Sequence, residues 1–257
     1  ERQKNIWKSR VSKEIKLAID VQKRLMPRRT INHFPIEGIN IPAREISGDF
    51  YDFYPHNDLI YFTLCDVSGK GVNAGMVMAR AITLFKIYSK NNFKPNEIHY
   101  EMNNDLHQTN PKGVYVTSIV GSYNSKTDII ELSNAGHLPA LFKKGTEFIE
   151  YDSSSMPLGV KKADNNKEYK LETIKLEDGR LYCFTDGFSE CRNEKGDEMG
   201  IDGVKNLIIN YQNTSLKKEL SKIIKDVESK STKGKNFDNV NTDNILEDDL
   251  TIIGLGK

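Results

Sequence analysis

Apolar residues along the chain fall into short runs that predict strands. Leu59 to Cys65 forms one run whose length and content of aromatic and β-branched residues are typical of a buried strand. Apolar runs at 181–185 and 250–255 predict two further strands. Residues 115–123 alternate between polar and apolar side chains, and together with 128–132, beyond a polar turn, they predict a β-hairpin.

Longer stretches carry apolar residues at helical spacing. The stretch 5–26 ends at Pro27 and has one continuous stripe, made of Ile15, Ala18, Ile19, Gln22, Leu25 and Met26. Helical patterns also cover 72–88 and 95–106, and residues 203–229 predict two more helices. Antiparallel hairpins interspersed with helices, without an internal repeat, indicate an α+β domain.

The sequence does not determine what the amino-terminal helix packs against. Val11, Ala18 and Leu25 are spaced seven residues apart, as in a coiled coil, but the pattern is too short to establish one. A helix packed on its own domain and a linker that pairs with a second copy are both consistent with it. We divide the chain into this linker helix, residues 1–30, and one domain, residues 31–257.

Composition narrows the class of protein. The chain has 257 residues, 37% of them hydrophobic, enough to bury one large core. Lys and Arg number 37 against 36 Asp and Glu, so the net charge of +1 gives no reason to invoke nucleic acid or an acidic membrane surface. Cys65, Cys183 and Cys191 lack the spacing of a metal site and are typical of reduced core thiols in a cytoplasmic protein.

The chain has no run of roughly 20 apolar residues that would span a bilayer, and no signal peptide. It begins with Glu1 rather than Met. We therefore expect a cytoplasmic segment of a longer protein, in which an upstream sensor domain or a membrane tether is left open.

Acidic residues stand next to the predicted strands, with a glycine or a second acid close by in the sequence. Asp49 follows Gly48, Asp66 follows the strand 59–65, Asp186 follows 181–185, and Asp248 precedes the last strand. Carboxylates at such positions need solvent, a basic partner or a metal. If they converge, each pair about 4 Å apart repels by roughly 4 kcal/mol at an effective dielectric near 20, so cations would be required.

The residue types favour a hard metal ion. Oxygen ligands without His or Cys suit magnesium or manganese better than zinc. Two such ions about 3.5 to 4 Å apart can activate a shared water for attack on a phosphoryl group. Each acidic residue taken alone is more typical of a turn, and the spacing does not show whether they converge.

The sequence contains neither a nucleotide-binding loop nor a calcium-binding loop of the usual pattern. The turn Gly69-Lys70-Gly71 is not a nucleotide-binding loop, because residue 64 is not Gly and Lys70 is not followed by Ser or Thr. Residues 192–198 and 238–243 do not have the central Gly and the terminal Glu at the places that a calcium-binding loop requires.

Five segments, taken together, resemble the successive signatures of one enzyme family: Ile46–Asp52, Cys65–Gly71, Asn134–His137, Thr185–Gly187 and Asp248–Thr251. The family is that of the metal-dependent serine/threonine phosphatases, in the bacterial branch typified by sporulation stage II protein E and the sigma-factor regulator phosphatases. The resemblance runs in the expected order from about residue 30 to the end. It implies two packed antiparallel sheets flanked by helices, behind a linker helix that relays a signal from an input domain.

The resemblance also implies a site with two magnesium or manganese ions and a bridging water that attacks phosphorus without a phosphoenzyme. The implied ligands are the carboxylates of Asp49, Asp66, Asp186 and Asp248 and the main-chain carbonyl of Val67. Asp248 is preferred over Asp249 because of its place before the hydrophobic-Thr pair. Asp249 and Asp52 are left as ligands through bound water.

The implied substrate is a phosphoserine or phosphothreonine on a small protein of the anti-anti-sigma type in a partner-switching pathway. Two alternatives remain: a catalytically silent phosphatase fold that only binds a partner, and a metal-dependent hydrolase of small phosphate compounds. All four acidic positions are present, which argues against the first, and no base-stacking pattern supports the second. Ser47, Asn73 and Gly75 depart from the commonest family residues, none at a carboxylate.

Three further roles stay open at this point. Arg44 is a candidate for binding phosphate or an ordinary exposed residue, and Lys70 lies near the incoming phosphate or in solvent. His137 is either a turn-capping residue or a general acid, since His donates protons near neutral pH. Residues 229–247 are polar, and we predict them to be mobile.

Overall fold

Two stacked antiparallel sheets carry a helical layer on each outer face. The computed structural model describes residues 2–27, 31, 34–43, 46–192, 196–212, 214–233 and 246–256. Within them, the first sheet has the strand order β1-β10-β9-β6-β7 and the second has the order β2-β3-β4-β5-β8.

The strands and helices have the following bounds. The first sheet contains β1 (Ile36–Ile41), β6 (Ala140–Lys144), β7 (Glu147–Tyr151), β9 (Arg180–Phe184) and β10 (Leu250–Leu255). The second contains β2 (Phe50–His56), β3 (Leu59–Val67), β4 (Val116–Asn124), β5 (Ile129–Ala135) and β8 (Glu172–Lys175). The helices are α1 (Arg2–Leu25), α2 (Val72–Lys90), α3 (Pro95–Thr109), α4 (Asp186–Ser189), α5 (Gly200–Tyr211) and α6 (Leu216–Lys233).

The core is divided by the two sheets into three layers. One apolar cluster lies between the sheets, a second lies between α2 and α3 and the second sheet, and a third lies between α5 and α6 and the first sheet. In β3, Phe62 faces the other sheet while Tyr61 and Cys65 face the helices. A strand covered on both faces is apolar at consecutive positions, which is why 59–65 has no polar alternation.

The predicted α+β sandwich is therefore confirmed, and the predicted elements are found close to their predicted limits. The helix expected at 5–26 is α1, and the two helices expected in 203–229 are α5 and α6. Ala43, Ile46 and Ser47 lie between the two sheets' strands rather than in one, because β1 ends at Ile41 and β2 begins at Phe50. The segment predicted to be mobile falls largely on 234–245, outside the described residues.

The last turns of α1 pack against the rest of the molecule. Leu25 and Met26 lie against the core of α2 and α3, and Lys86 of α2 donates a hydrogen bond to the Leu25 carbonyl at 3.2 Å. None of the helices in the described part of the chain combines the length and apolar character that crossing a bilayer requires. The three cysteines are buried, as expected for core thiols.

Gly121 allows two strands of the second sheet to pack at their centre. It is the direct partner of Phe62 in the β3–β4 pair, and a Cβ at position 121 would lie 2.1 Å from Cζ of the Phe62 ring. We expect Gly121→Ala to lower the free energy of unfolding by about 1–3 kcal/mol, because the buried ring must leave its preferred rotamer. Urea unfolding followed by circular dichroism measures this change.

A double-mutant cycle tests the stated cause. Phe62→Leu provides room for the added methyl group, so the two substitutions together should cost less than the sum of their separate effects, by at least about 0.5 kcal/mol. Strict additivity would show that Gly121 stabilises the sheet for some other reason.

Candidate functional site

Four acidic residues lie at one end of the sandwich, where the two sheets meet. Asp49 precedes β2 and Asp66 lies near the end of β3, both in the second sheet, while Asp186 follows β9 and Asp248 precedes β10 in the first sheet. Asp66 interacts electrostatically with the other three carboxylates. The structure thus brings together acids that are separated by up to about two hundred positions in the sequence.

Asp49 is the most deeply buried of the four, with 3% of its surface exposed. Its Oδ2 accepts a hydrogen bond from the Thr251 hydroxyl of β10 at 2.9 Å, which ties it to the opposite sheet. Burial raises the pKa of Asp49 well above its usual range, and the neighbouring charge of Asp66 raises it further. The ionised form of this carboxyl therefore needs a nearby cation.

Asp66 and Asp186 experience the same combination of burial and repulsion. Burial, followed by the charge of Asp186, raises the pKa of Asp66 to about 6. The pKa of Asp186 is raised by burial and then by the charge of Asp248. Each carboxylate thus makes its neighbours harder to ionise, and added positive charge would relieve the repulsion.

The main chain beside the cluster is open to a small ligand. A Cβ at position 48 would lie 3.0 Å from the carbonyl oxygen of Val67, so glycine at this position keeps that oxygen uncovered. A cavity of about 20 Å³, the size of a single water, lies beside it and is lined by Ala43, Ile46, Gly48, Asp66, Gly69, Lys70, Glu247, Asp248 and Asp249.

This donor set fits a hard divalent ion in its chemistry. It consists of carboxylate oxygens and a carbonyl oxygen, and burial followed by repulsion between neighbouring carboxylates raises the pKa values of Asp49, Asp66 and Asp186. Among the residues that the structure describes, no three Asp, Glu, His or Cys side chains already surround one point as a metal would require.

Asp248 forms an ion pair with Lys70. Its Oδ2 lies 2.8 Å from Nζ of Lys70, whose side chain is 44% exposed. Lys70 is thus found beside the carboxylates and not simply in solvent. Arg44, the other basic candidate, lies outside the described residues.

Asp249 is used by the chain itself. Its Oδ1 accepts a hydrogen bond from the Ala43 amide at 2.7 Å, and its Oδ2 accepts bonds from the Ser47 hydroxyl at 2.6 Å and the Gly48 amide at 3.1 Å. These bonds fix the loop that leads into Asp49. The second acid of the Asp-Asp pair thus shapes the site, a role that the sequence did not reveal.

Asp52 does not join the cluster, so the interpretation of it as a ligand through water is wrong. Alternation along β2 turns its side chain toward α2, where Lys86 Nζ lies 3.0 Å from its Oδ2. Burial raises the pKa of Asp52 to about 6, against the opposing effect of Lys86. Side chains alternate between the two faces of a strand, so Asp52 lies on the same face as Phe50, which packs against the helices.

His137 connects the two sheets. Its Nδ1 lies 2.7 Å from the Thr117 hydroxyl of β4, and its Nε2 lies 3.1 Å from the Phe184 carbonyl of β9. Burial lowers the pKa of His137 to about 4, so the ring is neutral at pH 7 and its one proton is donated to Phe184. This geometry favours the structural interpretation over the general acid.

Gln22 of α1 reaches the same loop, which sequence reasoning missed. Its side-chain amide donates to the Ser47 carbonyl at 2.6 Å and accepts from the Ser47 amide at 3.1 Å. A Cβ at position 75 would lie 2.5 Å from Cγ2 of Ile46, so Gly75 lets α2 approach the loop from the other side. The available signal was a polar residue on the otherwise apolar stripe of α1.

Comparison with known proteins gives a consistent family. The chain matches the family model of Stage II sporulation protein E (SpoIIE) over residues 56–256. It is 26% identical over 191 residues to the phosphoserine phosphatase RsbU of Bacillus subtilis (strain 168), covering 72% of this chain and 56% of that protein. The chain thus spans about half the length of this curated relative.

Two solved structures share the fold. The SiaA-PP2C domain of Pseudomonas aeruginosa has a TM-score of 0.82 at 16% identity, covering 97% of this chain and 98% of that one. RsbX, solved in complex with magnesium, has a TM-score of 0.60 at 16% identity, covering 86% and 92%.

The bridge formed by His137 has a pH-dependent effect on stability. The pKa of an unfolded His is about 6.5, whereas His137 titrates at about 4 in the folded chain. Between these values the unfolded chain binds more protons, so the contribution of His137 is complete above pH 6.5 and is lost as the pH falls toward 4. We expect His137→Leu to cost about 2–4 kcal/mol at pH 7.5, since two partners lose their hydrogen bonds.

The gap between the wild type and His137→Leu should narrow by about 2 kcal/mol at pH 5, because only the wild type must keep this ring neutral. Urea unfolding of both proteins at the two pH values measures the gap. A gap that stays constant would contradict the buried neutral ring.

Proposed function

The chain belongs to the SpoIIE family, a branch of the metal-dependent serine/threonine phosphatases, and on that premise we propose that it hydrolyses phosphoserine or phosphothreonine on a protein. The observation that carries the proposal is the convergence of four buried or half-buried carboxylates from both sheets, three of which, Asp49, Asp66 and Asp186, have pKa values raised by burial and then by a neighbouring carboxylate. Such a cluster is costly to the fold unless it holds cations.

The residues that would hold two manganese or magnesium ions are Asp49, Asp66, Asp186 and Asp248, with the main-chain carbonyl of Val67. When bound, the ions would supply Lewis-acid chemistry, lowering the pKa of a water for attack on phosphorus and neutralising phosphoryl charge. No covalent phosphoenzyme is part of the proposal.

The other residues of the site position these groups. Thr251 holds the Asp49 carboxylate through its hydroxyl, and Asp249 holds the loop at Ser47 and Gly48. His137 joins the strands that carry Thr117 and Phe184, so the end of β9 before Asp186 is fixed relative to β4. Together these bonds keep the sheets in register at the cluster.

The proposed substrate is a phosphorylated regulator of the anti-anti-sigma type in a partner-switching pathway, and the proposed location is the cytoplasm. The named activity of RsbU, a phosphoserine phosphatase, supports the chemical class of the substrate. The family resemblance supports the type of partner, and the chain itself encodes no residue that identifies it.

We also propose that residues 1–30 act as a linker between an upstream sensor and the domain 31–257. Contacts of α1 with α2 and with Ser47 connect this helix to the site. Trp7, Leu17 and Val21 of α1 are each more than half exposed, which supports pairing with a second copy through this helix.

Substitution of single carboxylates tests the assignment. Asp66→Asn and Asp186→Asn should each reduce manganese-dependent phosphate release from a phosphoserine protein by about 100-fold or more, because a lost ligand costs at least as much as a lost outer-sphere partner. Asp52→Asn is the matched control, since Asp52 lies in β2, three residues after Asp49, but faces α2. Thermal unfolding of each variant checks that the fold is retained.

The assay also distinguishes the alternatives. Phosphate released from a nucleotide but not from the phosphoprotein would indicate a hydrolase of small phosphate compounds. A wild type that binds the phosphoprotein without releasing phosphate would indicate a silent binding module. Near wild-type turnover by Asp66→Asn or Asp186→Asn would show that the site is wrongly assigned.

A further inference from the structure

Lys70 lies among the carboxylates of the site. It belongs to the loop between β3 and α2, and its Nζ lies 2.8 Å from Oδ2 of Asp248 and 3.5 Å from the main-chain oxygen of Glu247. Its charge also lowers the pKa of Asp186, against the larger effects that raise it. The ammonium group therefore supplies positive charge to two of the four acids.

Both oxygens of the Asp248 carboxylate are engaged. Oδ1 accepts a hydrogen bond from the Asp249 amide at 2.9 Å, and Oδ2 accepts the bond from Lys70. A magnesium ion binds a carboxylate oxygen at about 2.0–2.1 Å. An ion on Oδ2 would thus face an ammonium nitrogen on the same oxygen, and the two positive charges would repel each other.

The loop that carries Lys70 can release it without disturbing the core. Gly69 and Gly71 flank it with φ values of 97° and 79°, and a Cβ built at either position meets no atom within 4 Å. The side chains of Lys70 and Asp248 are 44% and 34% exposed. An exposed ion pair of this kind is weak and readily exchanged.

We propose that Lys70 is an exchangeable counter-ion for Asp248, which occupies the carboxylate before a metal does and must be displaced when the metal binds. This inference rests on the proposed function, because only there is Asp248 a metal ligand. Lys70 thereby lowers the affinity of the site for metal, and its positive charge offsets the negative charge of Asp248 beside Asp186.

Manganese titration by isothermal calorimetry tests this competition directly, independently of catalysis. We expect Lys70→Met to bind manganese about two- to fivefold more tightly than the wild type, the factor that corresponds to an exposed ion pair. Lys70→Arg keeps the charge and should bind close to the wild-type affinity. Lys126→Met is the matched control, because Lys126 forms an exposed ion pair with Asp58, a residue outside the cluster.

The outcomes separate this inference from the proposed function. Tighter binding by Lys70→Met, but not by Lys126→Met or Lys70→Arg, supports the exchange. Equal affinity of Lys70→Met and the wild type overturns it and leaves the metal site standing. If neither the wild type nor any Lys70 variant binds manganese, the metal site itself is refuted, and the exchange with it.

Discussion

The constraint on which this molecule depends is the crowding of negative charge at the junction of two sheets. Asp49 and Asp66 come from one sheet and Asp186 and Asp248 from the other, so the sandwich cannot close without bringing them together. Burial and the charges of neighbouring carboxylates raise the pKa values of Asp49, Asp66 and Asp186. Groups that reduce the repulsion between these carboxylates therefore stabilise both the fold and the site.

Hydrogen bonds from the chain hold the acids without neutralising them. The Thr251 hydroxyl donates a hydrogen bond to Asp49 across the sheets. The carboxylate of Asp249 accepts hydrogen bonds from two main-chain amides and from the Ser47 hydroxyl. The loop fixed by Asp249 also contacts Gln22 of α1. A displacement of this helix would therefore be transmitted to Ser47, the residue before Gly48, through hydrogen bonds between the Gln22 side chain and the Ser47 main chain.

Apolar runs and helical spacing predicted an α+β domain with acids beside its strands, because these are local patterns, whereas the two packed sheets were predicted from the family resemblance. The sequence could not assign Asp52, because the face of a strand that a side chain occupies depends on the register of β2 and on Lys86, which lies 34 positions away. The same holds for His137, whose role follows from Thr117 and Phe184 on two different sheets. Long-range partners, rather than local propensity, decide such roles.

In the proposed exchange, Lys70 partly compensates the charge of Asp248 before a metal binds. A lysine is a weaker partner than a divalent ion for a group of carboxylates, but it belongs to the chain and is available at any metal concentration. Metal that binds only the folded chain stabilises it by mass action, and a resident ammonium reduces that gain by the energy of the displaced ion pair. The same contact therefore supports the metal-free fold and weakens metal binding, so metal affinity can change through the position of one loop while every carboxylate stays in place.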